Sequence, residues 1–279
     1  VYPMTSLYYV LILLTSCLGC VCLGGSCEVS LSASPLPRRG LWRVKYKEKC
    51  GLVTLRYAVI ADIVGSRTLT NRPDAQRTFE ETFEKASQGL TLLEAPYATV
   101  GDEFQAVANS LEDALLLTLR SQLLLPPQLQ LRFGIGAGRI EELPGGAHGH
   151  PRPRAADVAS LQDGSAWWAA RAAINRAHQV QDSSNPFIRT WFIADSSVEA
   201  TISPNYQTCV NALLSLRDHA ILKLSARHRR ITASLLLGKT QVEIARVEKL
   251  SQQAISDFAR GSGAGLIQSS LIIAEAARA

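Results

Sequence analysis

The chain has 279 residues, enough for one large domain or two small ones, and its 47% apolar and 19% charged content excludes a disordered protein. The formal charge of +5 is uneven: residues 1–55 carry +4, residues 217–260 carry +5, and the remainder is −4. A basic C-terminal block is the footprint expected of a nucleic-acid contact. Five of the six cysteines lie in the first 50 residues, so the body has no disulfide framework and suits a reducing compartment.

Residues 1–52 read as an extension. Ser6 to Gly24 is largely apolar and no charged residue precedes Glu28. Two readings stand open. Residues 5–24 are just long enough to cross a bilayer, and Arg38, Arg39, Arg43, Lys45, Lys47 and Lys49 would then hold the following domains on the cytoplasmic side of the inner membrane. Alternatively the protein starts near Val53 or Leu55, residues 1–52 come from upstream translation, and the protein is cytoplasmic. Cys17, Cys20 and Cys22 lack the second pair that a zinc knuckle needs.

The segment 56–200 is expected to be an α+β domain. Tyr57–Ala61 is a continuous apolar run ending at Asp62 and the Gly65 turn, as in a strand buried on both faces. A helix opens at Pro73-Asp74 with Ala75, Phe79, Phe83 and Ala86 on one face, and Gly89 closes it. Leu90–Thr99 and Glu103–Ala108 form a hairpin around Gly101-Asp102; a helix from Leu111 to Leu125 stops at Pro126-Pro127. Leu129–Ala137 reads as a strand that meets Gly134, Gly136 and Gly138, a sign of close backbone approach. The order strand, helix, hairpin, helix, strand is the split βαβ pattern of a ferredoxin-like antiparallel sheet with helices on one face. His148 and His150 fall in a Gly/Pro loop without a nearby carboxylate or thiol and read as surface residues. A helix from Ser165 and a strand Phe187–Ala194 complete the segment.

The segment 206–279 reads as an all-α bundle. Val210, Leu213, Leu214 and Leu216 give an apolar face to a first helix, and a second runs from Ser225 to Gly238. Thr240 then caps a third, and Ser251 caps a fourth whose first turns present Gln252, Gln253 and Ser256. Ala245 permits a close crossing, with Ile244, Leu250 and Ile255 as the wedge. This is the pattern of a helix-turn-helix, in which glutamines can read base edges and Arg227, Arg229, Arg230, Lys239 and Arg260 reach phosphates. Thr240 and Gln241 belong to the same candidate surface. Lys249 stands where glycine is preferred, at a cost of roughly 1 kcal/mol if φ is positive.

Asp62-Ile-Val-Gly-Ser, Gly101-Asp102-Glu-Phe, Arg132-Phe-Gly-Ile-Gly-Ala-Gly and Gly-Ser-Ala-Trp-Trp-Ala-Ala-Arg171 together resemble the ordered motifs of class III nucleotide cyclase domains, and the hairpin resembles that of diguanylate cyclases. The resemblance implies Mg²⁺ or Mn²⁺ on Asp62 and Asp102, phosphate approach at Ile63, Gly65, Ser66 and Gly101, and transition-state stabilisation by Arg171. Trp167 replaces the asparagine expected four residues before that arginine, and the lysine expected for base recognition near the hairpin is missing. From Tyr57 onward the chain more closely resembles the SatD family, associated with a bacterial acid-tolerance operon: it carries Ala-Asp62-Ile-Val-Gly-Ser-Arg, Val-Gly-Asp102-Glu-Phe-Gln, Arg132-Phe-Gly-Ile-Gly, Gln-Asp-Gly-Ser-Ala-Trp-Trp-Ala-Ala-Arg171 and the C-terminal helix-turn-helix in order. The expected protein is a homodimeric, duplex-DNA-binding regulator whose degenerate cyclase-like domain senses a nucleotide. A metal-dependent nucleotide enzyme and a non-enzymatic interaction module are the alternatives.

Overall fold

The computed structural model describes residues 27–35, 42–50, 54–66, 69, 71–99, 102–142, 162–183 and 185–276. It falls into two compact units, 1–54 and 55–279. In the first, β1 (Cys27–Pro35) and β2 (Trp42–Cys50) pair antiparallel from Cys27 opposite Cys50 to Pro35 opposite Trp42, a hairpin that the apolar and basic patterning did not announce. The expected membrane span at 5–24 and the histidine loop lie outside the described residues. Among the described residues no helix is long and apolar enough to cross a membrane.

The second unit is α+β, with a five-stranded mixed sheet. Its strands are β3 (Arg56–Ile63), β4 (Leu92–Ala98), β5 (Glu103–Ala108), β6 (Leu131–Gly138) and β9 (Thr190–Ala194), in the order β4-β5-β3-β6-β9. The first four strands in that order are antiparallel neighbours, whereas β9 joins β6 in parallel. The two-residue strands β7 (Glu141–Glu142) and β8 (Gln162–Asp163) pair separately.

Helices α1 (Arg72–Ala86) and α2 (Leu111–Leu124) cover one face of the sheet. Val59, Ala61, Phe104, Phe133 and Ile135 meet Phe79, Phe83, Ala114 and Leu117 there, in the main hydrophobic core. Asn71 caps α1 and Ser110 caps α2, each accepting the N–H three residues on.

Helix α3 (Ser165–Ser183) covers the opposite face, where Ala166, Ala170 and Ile174 meet Ala58 and Ile60. The expectation of a wholly antiparallel sheet with helices on one face is therefore corrected on both counts. The physical reason lies in β6: a Cβ on Gly136 would stand 2.1 Å from the Ala170 nitrogen, and one on Gly134 would stand 2.3 Å from the Ala170 oxygen. The glycine face of β6 and the alanine face of α3 allow backbone contact that larger residues would block.

Helix α4 (Pro204–Lys223), capped by Ser203, contributes Val210 and Leu214 to the main core. Leu216, expected on its apolar face, is exposed. The helix also closes the β9 edge with side chains. Asp218 accepts from the N–H of Arg189 (2.8 Å) and Thr190 (2.7 Å), Asn211 bonds both the N–H and the carbonyl of Phe192 (2.8 Å each), and Gln207 accepts from Ala194 N–H at 2.7 Å. The edge is thus satisfied without a sixth strand. Asp218 and Arg217 are both buried and paired at 3.4 Å. Burial raises the pKa of the aspartate and lowers that of the arginine, against their mutual attraction.

Helices α5 (Ala226–Leu236), α6 (Gln241–Glu248), α7 (Gln252–Arg260) and α8 (Ala264–Ala276) follow. Ile231, Ile244, Ala245, Ile255 and Phe258 form their own small core. A second cluster joins Leu119 and Leu123 of α2 to Ile221, Ala233 and Leu266.

Candidate functional site

Period-two alternation places Ala58, Ile60 and Asp62 on the α3 side of β3. The register sets Asp62 between Glu103 on β5 and Arg132 on β6. Arg132, only 5% exposed, donates one Nη to Asp62 Oδ2 at 2.9 Å and Oδ1 at 3.2 Å. Its Nε and other Nη donate to Gln181 Oε1 on α3. Arg171, also on α3, grips Glu103 bidentately at 2.6 and 2.8 Å, and Gln105 Nε2 donates to the same carboxylate at 2.9 Å. Burial raises the Asp62 pKa above the usual aspartate range; Arg132 and His178 oppose it and Glu103 adds to it. The hydrogen bond from Arg171 to Glu103 raises the arginine's pKa still further.

The structure thus brings Asp62 and Arg171 to one site but pairs Asp62 with Glu103. Asp102 contributes its carbonyl, which accepts from Ile63 N–H at 3.3 Å. Gly65 adopts the left-handed φ of 71° and opens the turn after β3, where Ser66 O accepts from Leu69 N–H. Gly101 lies outside the described residues. Sequence reasoning missed Glu103 and Arg132, although both stood within the quoted motifs. Strand alternation is the signal that would have found them, because residue 103 and not 102 shares the face of Asp62.

As arranged, these carboxylates do not fit a divalent cation. Both oxygens of each already accept guanidinium hydrogen bonds, so a metal there would have to compete with Arg132 and Arg171 for them. Among the described residues no group of three His, Cys, Asp or Glu side chains is placed to hold a metal. Trp167, which stands where a cyclase has asparagine, packs half-buried against the Ala58–Ile60 cluster.

The second candidate surface lies on the C-terminal helices. Thr240 and Glu243 form a reciprocal capping box at the start of α6, and Ser251 Oγ caps α7 by accepting from Ala254 N–H at 3.1 Å. Between them Lys249 has φ 54° and ψ 49°, the left-handed turn expected of a position that prefers glycine. Ile255 and Phe258 bury one side of α7 while Gln252, Gln253 and Arg260 remain exposed. Lys239 is also exposed, and Gln241 is half-buried. Gln253 donates to Asp257, and Arg260 donates to Ser256 at 2.7 Å.

Two expected phosphate contacts are placed differently. Arg230 spends its guanidinium on Glu248 in a bidentate pair at 2.6 and 2.8 Å that fastens α5 to α6. Arg229 turns toward the body of the protein and lines a cleft with Arg189 and Asp218.

A model of the SatD family matches residues 56–266, and the chain belongs to that family. No curated protein and no solved structure matches it.

Proposed function

We propose that this protein is a duplex-DNA-binding regulator. Its C-terminal helices act as a helix-turn-helix, and its ferredoxin-like, cyclase-like domain serves as a sensor with no turnover. The observation that carries the reading is the α6–α7 pair. It has a three-residue turn with Lys249 left-handed, both helices are capped, and the first turn of α7 is exposed at Gln252, Gln253 and Ala254. Lys239, Arg246, Lys249 and Arg260 are exposed bases around this surface. The paired half-sites common to such proteins make a homodimer the expected binding form.

Fluorescence anisotropy on genomic duplex fragments over a salt series tests this. Lys239→Ala and Arg260→Ala should each weaken binding and reduce the salt slope by about 1. Gln252→Ala should flatten sequence preference by about 1–3 kcal/mol at one base pair. Absence of salt-sensitive affinity for every duplex tried would sink the reading.

The nucleotide-enzyme reading rests on Asp62 and Glu103 standing side by side at adjacent strand ends. It needs Arg132 and Arg171 to release them. A thermal shift with ATP or GTP plus Mn²⁺, lost in Asp62→Asn, would support it.

A further inference from the structure

A small cleft, partly open to solvent, lies between the start of β6, the end of α2, and helices α4 and α5. Its walls are largely apolar, built by Leu125, Leu129, Phe187 and Ile221, with Leu222 beside them. Two guanidinium groups converge on it. Arg189 is held rigidly: its Nε and one Nη donate to Gln130, and its other Nη donates to the carbonyls of Pro186 and Ile188. Arg229 reaches in from α5, and among the described residues its guanidinium has neither a carboxylate nor a hydrogen-bond partner; its Nε is buried.

Asp218 lines the same cleft and offsets part of the Arg189 charge, but it makes no contact with Arg229. Its oxygens are taken by Arg217, Gln122 and the N–H groups of Arg189 and Thr190. A half-buried cation without a partner costs free energy, and a bound anion would offset that cost.

We propose that this cleft binds a small organic monocarboxylate, its carboxylate on the Arg229 guanidinium and its apolar chain against Leu125, Leu129 and Ile221. Charge and wall chemistry select this class. One guanidinium is free, which matches a monoanion and its planar two-oxygen geometry. Arg189 adds positive potential but few spare donors, too few for a phosphate dianion. The leucine, isoleucine and phenylalanine walls favour a hydrocarbon chain over an inorganic ion.

Calorimetric titration of the full chain with butyrate and with benzoate, against phosphate and chloride at equal ionic strength, tests this without involving DNA. The wild-type protein should bind a carboxylate saturably and phosphate at least tenfold more weakly. Arg229→Met should weaken carboxylate binding at least tenfold while leaving Tm without ligand unchanged or raised. Should Arg229→Met fail to fold, Leu222→Trp narrows the cleft mouth with the guanidinium intact and should give the same loss. No saturable carboxylate heat, tighter binding of phosphate, or wild-type affinity retained in the variant tested would each overturn the proposal.

Discussion

Arg132 sits near the start of β6 with one Nη on Asp62 and the rest of its guanidinium on Gln181, and this division of donors governs what the strand-end acids can do. Burial already lifts the Asp62 pKa, and Arg132 is the main group opposing that lift. Between the unfolded carboxyl value and its higher folded value the native state holds the extra proton, so this residue's contribution to stability falls as pH rises through that window. Arg132→Leu should move the Asp62 pKa further upward, read by carboxyl ¹³C NMR, and should cost about 1.5–3 kcal/mol in urea unfolding at neutral pH. An unmoved Asp62 titration would show that the pairing does not control it. At this scale the motifs marked Asp62 and Asp102, whereas the acid that faces Asp62 across the strands is Glu103. Neighbours in sequence, 102 and 103, lie on different sides of a pleat, and only the register says which one meets Asp62.

At the scale of elements, caps and apolar faces were legible: Ala75, Phe79, Phe83 and Ala86 line the buried side of α1 as their spacing implied, and Thr240 and Ser251 cap α6 and α7. The three alternate glycines of β6 announced a close approach without naming the element, because an alanine-rich helix carries no mark of which sheet face it will cover. The α5–α6 junction was not legible either, since an Arg230–Glu248 pair eighteen residues apart follows no helical period. The hydrogen bond from Arg230 holds the Glu248 carboxyl below the usual glutamate range. A depressed carboxyl stabilises the fold at neutral pH, and that gain is lost as pH falls through the folded pKa. Arg230→Ala should therefore lower stability by about 1 kcal/mol at pH 7 in chemical denaturation, with the deficit closing below the glutamate range. An equal deficit at pH 7 and at acid pH would assign the loss to packing instead.

Across the whole of unit 55–279, the sheet and the C-terminal helices share structure that a linear division of the chain cannot show. Arg120 on α2 donates to the carbonyls of Ala86 at the end of α1, of Gln88 just after it, and of Leu236 at the end of α5. Arg217 reaches Leu115, Thr118 and Thr190, and Leu119 and Leu123 pack on Ile221 and Ala233. A fragment of residues 206–279 should consequently lack cooperative thermal unfolding by circular dichroism, because Asn211, Arg217 and Asp218 lose their partners on β9 and α2. A sharp transition in that fragment would contradict this dependence.

The edge closure of β9 also behaves like a gear mesh. Gln207 and Asn211 are one helical turn apart, about 6 Å, and they engage Ala194 and Phe192, two strand residues or about 6.6 Å apart. The teeth match because a helical turn and a strand dipeptide have nearly the same length. Inserting one residue between Gln207 and Asp218 would rotate the later tooth by about 100° and disengage it. The outward position Leu216 can vary in chemistry, but the spacing from Gln207 to Asp218 is fixed by the pitch of the strand it engages.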